Sequence, residues 1–225
     1  MLQSRHTDAA YEKELEALAT KVAHMTARAE SMVRDAVQAM LTRDAALARA
    51  VSDADQELDR LEMDVDEMAL KLLARRAPFG EDLRFVMASM KIVTDLERMG
   101  DLAGNLASRA IELLQEPGVL AAGPEIEQLA DAALREVRAA MAAWQARDAA
   151  AARAVLATDR TVDALNRVAF KTLIQVAREQ PQEFDRALCL TSICRYLERI
   201  ADHAVNVAEQ TVFLVEAEDI RHAQG

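Results

Sequence analysis

Eight carboxylates in this 225-residue chain fall into two equivalent sets, and each set consists of two pairs spaced i, i+4. On a helix this spacing places both side chains of a pair on one face, one turn apart. Like charges at that spacing repel each other, so the pattern requires a compensating interaction. The first set is Asp55, Asp59, Glu97 and Asp101, and the second is Asp159, Asp163, Glu198 and Asp202.

Three kinds of interaction could compensate such clustered negative charge. The carboxyl groups could take raised pKa values, or a cation could bind between them. Arg98 and Arg199 beside the glutamates could form ion pairs, although adjacent positions on a helix point about 100° apart. Oxygen-rich sites suit hard cations such as Mg²⁺, Ca²⁺ and Mn²⁺, and carboxylate clusters also bind iron. The pattern alone therefore leaves open a metal site and a solvated acidic stripe with arginine partners.

The composition predicts an almost entirely helical protein. Hydrophobic residues make up 52% of the chain, and only 6 glycines and 4 prolines are available for turns. Alanine, leucine, glutamate and arginine dominate, and these residues favour helices. Asp44 and Asp148 follow arginines at two predicted breaks and are expected to be N-caps. The breaks delimit six helices, at about 8–42, 44–75, 81–115, 124–146, 148–179 and 182–218.

The two halves of the chain are copies of each other. RDAALARAV at 43–51 matches RDAAAARAV at 147–155 with an offset of 104 residues. DLERMGDLAGNLA at 95–107 matches YLERIADHAVNVA at 196–208 with an offset of 101 residues. A period near 100 residues indicates a duplicated domain rather than a short solenoid repeat.

These observations predict an all-α fold of two tandem, pseudo-symmetric three-helix bundles. Long helices joined by short links pack antiparallel to each other. The segment rich in proline and glycine at 117–124 separates the two units. We therefore assign residues 1–117 to the first bundle and residues 118–225 to the second.

Counting from the hairpin turns predicts that the carboxylates of each set meet. Asp59 lies 19 residues before Pro78, and Glu97 lies 17 residues after Gly80. Residues at equal distances from the turn face each other in an antiparallel pair, so these two carboxylates should be level. The other pair of the set is level as well, and counting from Pro181 gives the same register in the second unit.

The positions of the histidines do not support a ferritin-like di-iron centre at these carboxylates. A ferritin-like di-iron centre requires Glu-x-x-His, and none of the four histidines has a glutamate three residues before it. We expect His203 to flank the site rather than to bind a metal. Asn105 and Asn206, one turn beyond Asp101 and Asp202, could complete a ligand set or only extend the polar stripe.

Charge and hydropathy exclude several classes of function. A net charge of −11 and a pI of about 4.9 argue against nucleic-acid binding and against adhesion to an anionic membrane. No segment approaches the ~20 apolar residues of a membrane span, and the N-terminus lacks the apolar region of a signal peptide. Cys189 and Cys194, spaced i, i+5, are expected to be reduced thiols. We therefore expect a cytoplasmic protein that does not insert into membranes.

The two E-x-x-x-D segments resemble a known family of bacterial proteins. LERMGDLAGNLA and YLERIADHAVNVAE, each in the long third helix of a tandem three-helix unit, are similar to the motif segments of the PhoU family, the phosphate-uptake regulators. The resemblance covers nearly the whole chain, and the double occurrence makes it specific. It implies metal binding at the acidic motifs, by iron, zinc or another divalent ion such as Mn²⁺ or Mg²⁺, with the eight carboxylates as ligands. One departure is that Glu62 has Asn166 as its counterpart, so the two sites need not bind equally.

The resemblance also implies a function without catalysis. Proteins of this family are negative regulators of the phosphate-starvation response, and they connect the ATPase subunit of a phosphate ABC importer to its sensor histidine kinase. Many of them form homodimers. An alternative is a carboxylate-bridged metalloenzyme, which needs an open coordination position and a substrate cleft. The sequence contains no Gly-rich phosphate loop and no nucleophile elbow, so we expect no enzyme. A helical scaffold with solvated acidic rows is the third interpretation.

Overall fold

The computed structural model describes residues 9–115 and 123–220, and all regular structure in these two ranges is helical. This confirms the predicted all-α fold. The α-helices are α1 (Ala9–Thr42), α2 (Ala45–Asp53), α3 (Asp55–Arg76), α4 (Gly80–Gln115), α5 (Pro124–Ala146), α6 (Ala149–Glu179) and α7 (Phe184–Glu216), with a short 3₁₀ turn at Pro181–Glu183. The predicted boundary between residues 117 and 118 lies outside the described residues.

The turns after α1 and α5 are built in the same way. Arg43 and Arg147 take left-handed backbone conformations, with φ of 58° and 52°, and each ends a helix. The aspartate that follows then caps the next helix. Asp44 Oδ1 accepts hydrogen bonds from the backbone N–H groups of Ala46 and Leu47, at 2.9 and 3.0 Å. Asp148 accepts one from Ala151 at 2.9 Å, so both predicted N-caps are confirmed.

The predicted helix at 44–75 is wrong in one respect, because it is interrupted at Ala54. The N–H of Ala54 donates to the carbonyl oxygen of Val51 at 3.1 Å, which is the tighter bonding of a 3₁₀ turn. Ser52 contributes to the interruption, since its hydroxyl donates to the Ala48 carbonyl oxygen at 3.3 Å and such bonds bend helices. Ala54 remains in the right-handed helical region, so α2 and α3 continue as one rod.

Helices α4 and α7 lie at the centre and join the two three-helix units. Arg84 Nε near the start of α4 donates to the carbonyl oxygen of Leu214 near the end of α7, at 3.2 Å. Arg186 Nη1 near the start of α7 donates to the carbonyl oxygen of Leu113 near the end of α4, at 3.3 Å. The two helices are therefore antiparallel. Helices α1, α2 and α3 pack with α4, and helices α5 and α6 pack with α7.

The helices form because each one has an apolar stripe at helical spacing. In α1 the fully buried residues Leu15, Leu18, Val22 and Met25 recur every three or four positions. These stripes merge into one hydrophobic core that runs through both units. Across the described ranges, no helix carries an apolar stretch long enough to span a bilayer.

Candidate functional site

The first acidic cluster lies between α3 and α4. Glu97 on α4 is the most enclosed member, with 14% of its side chain exposed. The pKa of Glu97 is raised to about 7, first by burial and then by Asp101, Glu62 and Asp59, while Arg98 opposes the rise. Glu62 and Asp59 on α3 thus both raise the pKa of Glu97 on α4.

Asp55 completes the first cluster one turn further from the hairpin. Its pKa is raised by burial first, then by Asp101 on α4 and by Asp59 on its own helix. Asp55 therefore interacts with Asp101, and Asp59 interacts with Glu97, which is the register that counting from the hairpin predicts. The short links at Ala77 and Gly80, both with positive φ, set this register.

An arginine partly compensates the first cluster. Arg98 Nη1 donates to Asp101 Oδ2 at 3.1 Å, and Arg98 Nε lies 3.3 Å from Glu97 Oε2. From helix geometry we expected this guanidinium to point away from the carboxylates. The long side chain instead folds back along the helix surface and reaches both of them.

The second acidic cluster lies at the equivalent place between α6 and α7. The pKa of Asp159 is raised by burial and by Asp163. Asp202 is an exposed residue, yet its pKa is raised to about 6, and the first cause is the partial loss of water around its carboxyl group. Glu198, Asp159 and Asp163 contribute to this rise in pKa, and His203 opposes it.

The structure adds one carboxylate that the sequence interpretation missed. Glu136 on α5 is only 4% exposed, and its Oε1 atom is buried without a hydrogen bond from any described residue. The pKa of Glu136 is raised to about 8, first by burial and then by the negative charges of Asp159, Asp202 and Asp163. Glu136 therefore forms the floor of the second cluster, from α5, which is the helix of that bundle outside the α6–α7 pair.

The first cluster has an apolar floor instead. The offset of 104 residues places Met32 at the position of Glu136, and Met32 is 1% exposed. A Cβ atom on Gly100 would collide with Leu58 Cδ1 and would lie 3.7 Å from Met32 Cε. The absence of that Cβ lets Leu58 and Met32 fill the space beneath the carboxylates.

His203 and Asn206, next to the second cluster, contact the first three-helix unit. His203 Nδ1 lies 2.8 Å from Asp95 Oδ1 on α4, and Asn206 Nδ2 donates to the same oxygen at 2.8 Å. Asn206 is therefore engaged by Asp95, whereas Asn105, its counterpart, is exposed. His203 flanks the cluster, as we expected.

The carboxylates are neighbours without forming a closed ligand cage. Within residues 9–115 and 123–220, no three His, Cys, Asp or Glu side chains are already arranged around a common metal position. The donor chemistry nevertheless fits a hard cation, because oxygen atoms line both clusters. Glu97 Oε2 and Glu136 Oε1 are buried and accept no hydrogen bond from the described residues, but only Glu97 Oε2 has an arginine beside it, with Arg98 Nε at 3.3 Å. The assignment of all eight carboxylates as metal ligands stays a prediction.

A cavity of about 850 Å³ lies apart from both clusters, where α1 meets the ends of α4, α5 and α7. Phe85 and Trp144 stack in its wall, with ring centroids 6.3 Å apart. Arg147 lies over the Phe85 ring at 5.1 Å and forms an ion pair with Glu81 at 2.7 Å. None of the eight carboxylates lines this cavity, so it supplies no substrate cleft for them.

Comparison with known proteins identifies both halves of the chain. The PhoU domain matches residues 22–110 and again residues 126–211. The chain is 35% identical over 219 residues to the phosphate-specific transport system accessory protein PhoU homolog of Pseudomonas putida, covering 97% of this chain and 86% of that protein. The homolog from Pseudomonas aeruginosa is also 35% identical, over 97% of this chain and 90% of its own length.

Solved structures share the fold. The crystal structure of PhoU from Pseudomonas aeruginosa matches with a TM-score of 0.89 and 35% identity, covering 92% of this chain and all of that one (100%). The phosphate transport system regulatory protein PhoU from Streptococcus pneumoniae matches with a TM-score of 0.84 at 24% identity, which supports the fold alone.

Proposed function

This chain belongs to the PhoU family, and we propose that it is a cytoplasmic negative regulator of phosphate uptake and of the phosphate-starvation response. It acts as a metal-binding adaptor between the ATPase subunit of a phosphate ABC importer and the sensor histidine kinase of that system. The names of its relatives, which describe an accessory protein of phosphate-specific transport, support this role.

The observation that carries the proposal is the duplicated acidic cluster. Each PhoU domain places carboxylates from two antiparallel helices within interaction distance, and their pKa values are raised where they are enclosed. Bound cations of the iron or divalent type, such as Fe, Zn, Mn or Mg, would relieve this repulsion. The eight carboxylates named above would hold them, and the metal would supply positive charge that fixes α3 to α4 and α6 to α7.

Exposed apolar side chains support the adaptor role. Phe79 at the α3–α4 hairpin is 85% exposed, and Leu83 and Met87 continue along the same face of α4 at 38% and 40%. Phe184 and Leu188 on α7, which correspond to Leu83 and Met87, are 54% and 57% exposed, whereas Phe79 has Gln180 as its counterpart. Exposed apolar patches mark protein interaction sites, and here the same patch occurs once in each unit.

We also propose that the protein is a homodimer. Phe170 and Ile174, spaced i, i+4 on α6, are 47% and 38% exposed and form a second apolar face. Light scattering coupled to size-exclusion chromatography measures the mass directly, and a mass of a single chain at micromolar concentration would contradict this part of the proposal.

A regulation assay tests the proposed function. The double substitution Glu97→Ala, Glu198→Ala should lower the metal content and raise expression from a phosphate-repressed promoter in phosphate-rich medium, while the helical circular dichroism stays unchanged. The matched control is Glu67→Ala, Glu179→Ala, at two exposed positions on α3 and α6. Unchanged metal content and unchanged repression in the first variant would refute the proposal.

The alternative of a carboxylate-bridged metalloenzyme requires a cleft beside the metal. The 850 Å³ cavity lies elsewhere, and its lining among the described residues contains no histidine or cysteine. Turnover of phosphoesters by the Mn²⁺- or Fe²⁺-loaded protein, lost in the Glu97, Glu198 double variant, would favour the enzyme instead.

A further inference from the structure

We infer that the two acidic clusters are unequal cation sites, and that Glu136 makes the cluster of the second unit the tighter one by acting as an additional ligand from α5. The inference rests on the metal binding proposed above. It assigns a role to a residue that lies outside the E-x-x-x-D segments and the helix pair that carries them.

The first argument is the position of Glu136. It lies in the apolar stripe of α5, between the buried residues Ala133 and Val137, where its burial lowers stability unless a partner is present. Its Oε1 atom has no hydrogen-bond partner among the described residues, and the charges that act on it are those of Asp159, Asp202 and Asp163. A cation is the partner that satisfies this oxygen and the surrounding negative charge together.

The second argument is the location of the fifth carboxylate in each unit. In the first unit it is Glu62, which is half-buried on α3 beside Glu97. Asn166 replaces it in the second unit, and the additional carboxylate comes from Glu136 instead. The second site therefore receives ligands from three helices of its bundle, and the first site receives them from two.

The third argument is the difference in the competing cations. Arg98 contacts Glu97 and Asp101 in the first unit and would have to be displaced by a metal. Its counterpart Arg199 forms no ion pair with any described residue. In the second cluster the guanidinium of Arg167 lies 3.8 Å from Asp163, and the Arg167 side chain is 66% exposed. A metal at the second site would therefore displace fewer arginine contacts than a metal at the first site.

The fourth argument is that the first unit cannot supply the same ligand. Met32 and Leu58 fill the equivalent space, and both are essentially fully buried. Val162 and Ala201, at the positions of Leu58 and Gly100, are also buried, and Val162 has a smaller side chain than Leu58. Met32 in the first unit and Glu136 in the second are thus different residues at the same buried position beneath the carboxylates.

Isothermal titration calorimetry of the full-length, chelator-treated protein with MnCl₂ tests the inference. The wild type should show two classes of site, and the tighter class should weaken at least about tenfold in Glu136→Gln and in Glu136→Met. Glu136→Met installs the residue of the first unit, so it should fold. Glu136→Gln keeps the shape and removes the charge. The matched control, Glu62→Gln, should leave the tighter class unchanged, and Glu198→Ala should abolish it.

The possible failures are distinguishable. Two classes that are unaffected by either Glu136 substitution, or one class of equal sites, would overturn the inference while leaving metal binding by the E-x-x-x-D segments intact. Loss of both classes in a folded Glu136→Gln variant would also overturn it, because the two sites should act independently. A wild-type protein that binds no Mn²⁺ and no other divalent ion would refute the metal-binding function together with this inference.

Discussion

Asp95 on α4 and His203 on α7 lie 2.8 Å apart, Oδ1 to Nδ1, at the contact between the two PhoU domains. Asn206 donates to the same aspartate oxygen at 2.8 Å, so a single carboxylate joins two side chains of the other unit. The side chains of Asp95 and His203 are 17% and 19% exposed, which shields the interaction from water. This link lies beside the second acidic cluster and holds α7 in place against α4.

Asp95→Ala should therefore lower the free energy of unfolding by about 1–3 kcal/mol, because His203 and Asn206 would lose their shared acceptor. Urea denaturation followed by circular dichroism measures the change. The matched control is Thr94→Ala, an exposed neighbour, which should change stability by less than about 0.5 kcal/mol. Equal stabilities of the two variants would show that the link contributes nothing.

The stability of the metal-free protein should depend on the protonation of Glu136. The pKa of this group is raised to about 8 in the folded state, from 4.5 for the unperturbed group, so the folded state binds its proton more tightly than the unfolded state. The resulting stabilisation is fully present below pH 4.5 and is lost as the pH rises through about 8. Glu136→Gln should thus gain stability relative to the wild type between pH 5 and 8.

Urea denaturation in the presence of a chelator, at several pH values, checks this difference. The other enclosed carboxylates, Glu97 and Asp202, also have raised pKa values and are present in both proteins. The wild-type minus variant difference therefore reports Glu136 together with its coupling to Asp159, Asp202 and Asp163. A difference that stays constant from pH 5 to 8 would contradict the prediction.

Removal of Arg98 should increase the cation affinity of the first cluster. Its guanidinium contacts two carboxylates that a metal would need, so Arg98→Ala should tighten Mn²⁺ binding at the weaker site several-fold. Stability should change by less than about 1 kcal/mol, since the pair is 54% exposed on the arginine side. Arg199→Ala is the matched control and should leave both affinities unchanged; an equal effect of both substitutions would argue for a general loss of positive charge.

Phe79 should contribute to partner binding and little to folding. Since its side chain is 85% exposed, Phe79→Asp should keep the thermal unfolding temperature within a few degrees of the wild type. It should weaken binding to the importer's ATPase subunit or to the histidine kinase at least tenfold, measured with purified components by biolayer interferometry. Phe79→Leu should retain binding. Full binding by the aspartate variant would place the partner surface elsewhere.

The elements that depend on local chemistry could be predicted from the sequence. Asp44 and Asp148 have side chains suited to capping, and they cap α2 and α6. The facing of Asp59 and Glu97 followed from counting residues across one hairpin, because helix rise is constant and the link is short. The duplication then predicted the same arrangement in the second unit.

The features that depend on the helix outside each hairpin pair, or on flexible side chains, could not be predicted in this way. Counting from a hairpin relates two adjacent helices, so it did not reach Glu136 on α5. A signal was present, since the offset of 104 residues aligns Glu136 with Met32 in an otherwise apolar stripe. The contacts of Arg98 with Glu97 and Asp101 depend on the rotamer of the arginine side chain, which residue spacing does not specify. The interruption at Ala54 reflects Ser52, whose counterpart in the continuous α6 is Leu156.

Native mass spectrometry of the chelator-treated protein, titrated with Mn²⁺, tests the central claim most directly. The wild type should retain metal in both units, and the Glu97→Ala, Glu198→Ala variant should retain none while keeping its charge-state distribution. Wild-type protein that stays metal-free with Mn²⁺, Fe²⁺ and Zn²⁺, or a double variant that binds as much metal as the wild type, would contradict the claim that the paired carboxylates hold cations.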